Sequence, residues 1–170
     1  MKCLNLLASL SLLFTVVACD NHEVIINPIV DWAPVCVGIT ATDMYGNDLL
    51  DPASNSCILE GTTLTFQEMT YEVSYDFMNR FEGAKAYMPR MYGLQLDTMR
   101  TADEVRYMLF FGEINGGSDM DENLVINWGN GTSDIINYHC WNHNERKGTC
   151  KREWKVNGKV VDGSKIAFVK

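Results

Sequence analysis

Residues 123–141 read NLVINWGNGTSDIINYHCW, and this stretch decides the fold class. Leu124, Ile126 and Trp128 recur at every second position, so they share one face of an extended strand, and Asn127 looks the other way. After a polar break, Ile136, Tyr138 and Cys140 repeat the pattern. Between the two runs stands Asn130-Gly131, a pair suited to a type I′ turn, in which both central residues take positive φ. Two alternating apolar arms joined by such a turn predict an antiparallel hairpin with one buried face.

The same grammar extends in both directions. The final stretch, REWKVNGKVVDGSKIAFVK, holds a second tight turn at Asn157-Gly158 and closes on the strand-like KIAFVK. Upstream, Glu104–Asn115 (EVRYMLFFGEIN) reads as a strong strand that leaves through Gly116-Gly117. Ala86–Thr98 reads as an irregular lead-in to a strand, with Pro89 kept off a central ladder position. Thr62–Tyr75 alternates around Gln67-Glu68 and predicts another hairpin. Val35–Asp43 is rich in β-branched residues and predicts a strand, followed by turn chemistry at Gly46-Asn47-Asp48 and a break at Pro52. Phe77, Phe81 and Ala84 have helical spacing, which allows one short helix. The count is eight to ten strands with no long helix. The expected fold is all-β, an antiparallel β-sandwich with at most one short helix.

Two local resemblances accompany this expectation. VGITATDMYGNDLLDP is similar to the opening strand and turn of transthyretin-like β-sandwich modules. INWGNGTSD resembles the turn of immunoglobulin-like modules of the PKD type, with Asn130 where an aspartate is usual. From Asp31 to Lys170 the segments DWAPV, GNDLLDP, YMPRMYGLQL, FFGEINGG, INWGNGTSDII and the closing VNGK and IAFVK, in that order, resemble small lipoproteins of Bacteroides-type bacteria. That resemblance implies a fold and a location, and no activity.

The amino terminus is consistent with that location. Met1-Lys2 carries a positive charge, and Cys3–Val17 is an uncharged apolar run, the pattern of an export signal. The run is shorter than the roughly 20 residues of a membrane span. It ends in Val16-Val17-Ala18-Cys19, which resembles the lipobox of bacterial lipoproteins. That resemblance implies cleavage before Cys19 and acylation of its sulfur and new amino group. Two or three chains anchor stably, because each buried CH₂ contributes about 0.8 kcal/mol. The predicted organisation is a signal peptide over 1–18, a lipidated tether over 19–30 and a single domain over 31–170. The expected site is the cell envelope, at the outer membrane, with Asp20 beside the anchor as an address signal of either sign. Without the signal the chain keeps 13 basic and 22 acidic residues, a net charge of −9. That balance argues against nucleic acid and against lying flat on anionic lipid.

Removal of Cys3 and lipidation of Cys19 leave Cys36, Cys57, Cys140 and Cys150. An even number in an exported chain predicts disulfides. Cys140 with Cys150 encloses nine residues and suits a stapled hairpin, and Cys36 with Cys57 is then implied. The segment YHCWNHNERKGTC also groups four zinc-ligand types: His139, Cys140, His143 and Cys150. Their spacing matches no closed zinc pattern, and a strand through Cys140 turns His139 to the opposite face, so no metal is expected. Asp119, Asp121 and Asn123 alternate as calcium ligands do, but Leu124 stands where the loop needs glycine. No G-x-S-x-G elbow is present, and Ser118, Ser133 and Ser164 sit in turns. Glu104, Glu113 and Asp97 are the carboxylates to consider for glycoside cleavage. No catalytic residue and no cofactor are assigned.

The aromatics offer binding chemistry instead. Trp141 and Trp154, with Trp32, Tyr87 and Tyr92, are candidates for a sugar-stacking surface, whereas Trp128 belongs to the core by its position. Asn130-Gly131-Thr132 forms a glycosylation sequon whose expected role is in the turn. The function expected from sequence is a non-catalytic, lipid-anchored binding or structural module with a protein or glycan partner. The alternative is a metal protein or hydrolase built around 139–150.

Overall fold

A computed structural model of the chain describes residues 34–75, 93–100, 104–117, 119–144, 147 and 149–170. The signal and tether (1–18 and 19–30), the short helix around Phe77–Ala84, and Trp32, Tyr87, Tyr92 and Ser118 lie outside those residues. Among the described residues the chain is all-β. Its ten strands are β1 (Val35–Thr42), β2 (Thr63–Phe66), β3 (Met69–Ser74), β4 (Leu94–Arg100), β5 (Val105–Ile114), β6 (Met120–Asn127), β7 (Ser133–Asn144), β8 (Thr149–Val156), β9 (Lys159–Val161) and β10 (Lys165–Val169). No helix among these residues is long and apolar enough to cross a membrane.

The hairpins expected from turn chemistry form. At β2–β3, Phe66 pairs with Met69, and both intervening residues, Gln67 and Glu68, take positive φ (47° and 66°). At β8–β9, Val156 pairs with Lys159 across Asn157 and Gly158, whose φ values are 48° and 82°. These two are the type I′ geometry. The β6–β7 turn differs from the expectation. Here only Gly131 is left-handed (φ 81°), Gly131 N–H donates to the Trp128 carbonyl at 2.9 Å, and Trp128 N–H donates to Thr132 at 2.8 Å. That is a three-residue loop in which a left-handed glycine follows a tighter turn and leaves a bulge. The Asn130 side chain accepts from the Thr132 amide at 3.0 Å and from its hydroxyl at 2.8 Å, so the sequon residues brace the turn.

The sheet order is β10-β1-β5-β4-β3-β2-β6-β7-β8-β9. One ladder runs through all ten strands, in place of two separate antiparallel sheets. Two pairings are parallel: β1 with β10 and β3 with β4. The sheet is mixed and nearly barrel-shaped. Its rolling is visible in contacts between strands far apart in the order. Trp128, just beyond β6, meets Phe168 of β10 edge to face at 5.5 Å. Asp134 of β7 pairs with Lys170, the residue after β10. β9 and β10, the two ends of the ladder, are joined by Asp162–Ser164, and Ser164 O accepts from Gly38 N–H of β1 at 2.8 Å.

Period-2 alternation places one face inside. Leu124, Ile126, Ile136, Tyr138, Cys140, Ile166 and Phe168 are all buried, as their spacing predicts, and they join one core with Val37, Ile39, Leu96, Leu109 and Phe111. Aromatic pairs fill it: Phe66 and Tyr71 each meet Phe111 edge to face at 5.5 and 5.0 Å, and Tyr138 lies 4.6 Å from Trp154. Such pairs contribute about 0.5–1.5 kcal/mol each beyond their area. Leu49, Leu50, Ile58 and Leu59, from the loop between β1 and β2, enter the same core. That loop presses on the β6–β7 turn at Gly129, whose N–H meets Thr62 Oγ1 at 2.9 Å.

Candidate functional site

Strands β7 and β8 carry most of the candidate residues. Cys140 pairs with Arg152 and Trp141 with Lys151, and then the register shifts, so that Asn144 pairs with Thr149. Between Trp141 and Asn144, β7 advances three residues against two on β8, a bulge of one residue. Asn142 takes a left-handed conformation there, with φ 55°. Without the bulge, His143 would share the outer face with His139 and Trp141. With it, His143 turns to the side of Cys140.

The result is a compact cluster. The Cys140 and Cys150 sulfurs and a His143 ring nitrogen all lie within 4.8 Å of one another. His143 Nε2 is 3.5 Å from Cys140 Sγ and 3.2 Å from the Gly116 carbonyl. His143 Nδ1 is 2.6 Å from Asp119 Oδ1. A carboxylate only accepts, so Nδ1 donates to Asp119, while Nε2 faces both the Cys140 sulfur and the Gly116 carbonyl. Cys140 is 1% exposed and the His143 side chain 12%. Burial pushes the Cys150 thiol up, Cys140 adds to that, and Arg152 opposes it. Burial likewise raises the Tyr138 phenol, again reinforced by Cys140 and opposed by Arg152. Its hydroxyl is buried and makes no hydrogen bond of ordinary geometry, so these two side chains are its polar neighbours.

All four cysteines of the domain are thiols in this structure. Cys36 lies in β1 at the irregular pairing with β5, and Cys57 lies in the loop before β2, each half-buried. His139 is on the opposite face from Cys140, as the strand reading requires, and stacks on Trp141 with ring centres 4.4 Å apart.

Trp141 and Trp154 border one cleft of about 560 Å³, at the seam where the rolled sheet brings its two ends together. Val35, Arg152, Glu153, Val160, Asp162 and Ser164 complete much of the wall. Trp154 is 5% exposed and presents only a rim, whereas Trp141 is half-buried. A second cleft of about 500 Å³ runs from Leu59 to Thr63 and along Glu72, Val73 and Tyr75. Burial raises the Tyr75 phenol there, with Cys57 and Glu60 adding to the effect.

The remaining candidates are dispersed. Asn137 bridges Asp121 at 2.7 Å and Asn123 at 3.2 Å, while Asp119 turns away to His143, so the three do not form a calcium loop. Glu113 accepts from the Tyr71 hydroxyl at 2.7 Å and from Gly93 N–H at 2.6 Å, and the Tyr71 phenol is pushed up to about 12 by burial and then by Glu113. Glu104 pairs with Arg106, and Asp97 is paired in register with Met108. At about 3.3 Å per residue, Glu113 lies about 30 Å along the strand from Glu104 and about 17 Å from Met108, beyond the roughly 5–9 Å that glycoside hydrolysis uses. Ser133 donates to Asn127 at 2.8 Å, a contact within the hairpin.

Sequence reasoning did not find Asp119 as the partner of His143, nor Arg152, Glu153, Asp162 and Ser164 as cleft residues. Only Asn142 left a trace in the sequence, because asparagine is enriched where a non-glycine residue turns left-handed. No family model, no curated protein and no solved structure matches this chain.

Proposed function

We propose that the chain is a lipid-anchored, non-catalytic module of the bacterial cell envelope that binds a glycan in the cleft beside Trp141. In this reading the rolled sheet works as a β-sandwich does, holding a preformed recognition surface at one end. The observation that carries it is the joint placement of Trp141 and Trp154 with Arg152, Glu153, Asp162 and Ser164 around one concavity. Its volume of about 560 Å³ lies within the range of small-ligand sites, about 300–1,000 Å³. An indole face packs the apolar CH face of a sugar, while a guanidinium and carboxylates at the rim address its hydroxyls. The anchor is Cys19, whose position at the end of the apolar leader supports acylation, and the acidic domain disfavours anionic partners.

The test is calorimetric titration of the full chain with envelope oligosaccharides. Saturable binding is expected, weakened about tenfold by Trp141→Ala. Absence of saturable binding, or binding indifferent to Trp141→Ala, overturns the proposal. The anchor has its own test: Cys19→Ala should abolish fatty-acid labelling and release the protein from membranes.

A further inference from the structure

The cluster of Cys140, His143 and Cys150 has a geometry that a glycan site does not need. Tetrahedral coordination with metal–sulfur bonds of about 2.3 Å and metal–nitrogen bonds of about 2.0–2.1 Å separates sulfur from nitrogen by about 3.6 Å and sulfur from sulfur by about 3.8 Å. The observed Cys140 Sγ to His143 Nε2 distance is 3.5 Å, and all three ligand atoms fall within 4.8 Å. One edge, Cys140 Sγ to His143 Nε2, already has the length of such a polyhedron, and the other two are at most 4.8 Å.

The surroundings point the same way. Asp119 holds Nδ1 of His143 at 2.6 Å, and a carboxylate on the far nitrogen is how metal-binding imidazoles are commonly oriented. The orientation depends on a local irregularity: the one-residue bulge and left-handed Asn142 turn His143 inward. The strands place the two sulfurs diagonally, since Cys140 pairs with Arg152 and Cys150 stands two residues before it. Diagonal neighbours in a sheet lie about 7–8 Å apart, beyond the 4.4–6.8 Å or so between Cα atoms that a disulfide requires. An intervening ion spans that gap without moving the backbone.

We infer that Cys140, His143 and Cys150 form a three-ligand site for a thiophilic divalent cation of the zinc class, with Asp119 as the positioning residue and a fourth coordination position beside the Gly116 carbonyl. Two thiolates and one neutral imidazole suit zinc over calcium or magnesium. Binding one Zn²⁺ releases the two thiol protons, so the ion and its ligands carry no net charge. A Cys140–Cys150 disulfide and this site exclude each other.

The experiment uses the full chain, reduced and kept from oxygen. Zn²⁺ alone is titrated against a chromophoric chelator, and Co²⁺ is followed by its thiolate charge-transfer absorption. One Zn²⁺ per chain and a tetrahedral cobalt spectrum are expected. His143→Ala and Cys150→Ser should each abolish stoichiometric binding. Asp119→Asn should weaken binding by about 10- to 100-fold. The double variant Cys36→Ser/Cys57→Ser should bind as the parent does. Circular dichroism of each variant confirms that its fold is retained. Uptake below one ion per chain, or an affinity untouched by His143→Ala in a folded variant, overturns the inference. So does mass spectrometry that finds Cys140 bridged to Cys150 in protein taken from cells.

Discussion

Asp134→Ala should destabilise the domain by about 3–5 kcal/mol at neutral pH, the range for removing one partner of a buried ionic cluster. The Asp134 side chain is 9% exposed and receives three donors. Trp128 Nε1 donates at 2.7 Å, Asn157 Nδ2 at 2.8 Å, and the Lys170 ammonium pairs with the same carboxylate. Removing the acceptor strands the indole of Trp128, which is 2% exposed, at about 1–3 kcal/mol. Lys170 loses its partner too, although its ammonium still lies 5.3 Å from the Trp128 ring. These contacts tie β6, β7, the β8–β9 turn and the end of β10 together, so the loss falls on the closure of the rolled sheet. For a domain of this size the thermal midpoint should drop by about 10 °C. The pH dependence follows from opposed effects. Burial raises the Asp134 carboxyl, but hydrogen bonds from Lys170, Asn157 and Trp128 outweigh it and hold the group below the ordinary carboxylate range. A carboxyl depressed in the folded state stabilises fully above its unfolded pKa of about 3.9, and that contribution disappears as pH falls through the folded value. Urea unfolding of parent and variant from pH 7 to pH 3 reads this directly. The gap should be constant at pH 5–7 and shrink below about pH 4. A gap under about 0.5 kcal/mol at pH 7, or one that widens on acidification, refutes the reasoning.

Other consequences are equally direct. A Cβ on Gly129 would meet the carbonyl oxygens of Glu60 at 2.0 Å and Ile58 at 2.5 Å, both rigid backbone, so Gly129→Ala should cost about 3 kcal/mol in chemical denaturation. Gly38→Ala meets the Met108 sulfur at 2.6 Å, the far end of a flexible side chain, and should cost less than about half of that. Asn142→Gly should keep zinc affinity, because glycine accepts the left-handed backbone, whereas Asn142→Val should lose it as the bulge is strained. A Lys170→Ala and Asp134→Ala double-mutant cycle in thermal unfolding should return a coupling of about 1–3 kcal/mol, and near-additivity would remove the ion pair from the closure.

The parts legible in the sequence were local. Alternation over Leu124–Trp128 and Ile136–Cys140 identified the buried face, and Asn157-Gly158 identified its turn, because both depend on residues adjacent in the chain. The Asn130-Gly131 turn was misassigned in type because Gly129 is held against the 58–62 loop, a contact that turn propensity does not contain. Global pairing was not legible. The parallel match of β1 with β10 joins the two ends of the domain, and nothing in either strand marks the other as its partner. The same holds for the site. Cys140 and Cys150 stood out as a pair by cysteine count and spacing, and the sequence carried no sign that His143 would lie beside them. The bulge at Asn142 brings His143 to the face of Cys140 while His139 stays on the other, and nothing in the residues before β6 marks Asp119 as the partner of His143.

The glycan-binding account is tested most directly by hydrogen exchange on the full chain with and without a saturating envelope oligosaccharide. Amides that a ligand covers open less often, so slowed exchange maps the occupied surface. The account predicts slowing confined to the cleft lined by Trp141, residues 152–154 and residues 160–164. Slowing centred on the other cleft, at Leu59–Thr63 and Glu72–Tyr75, would contradict it.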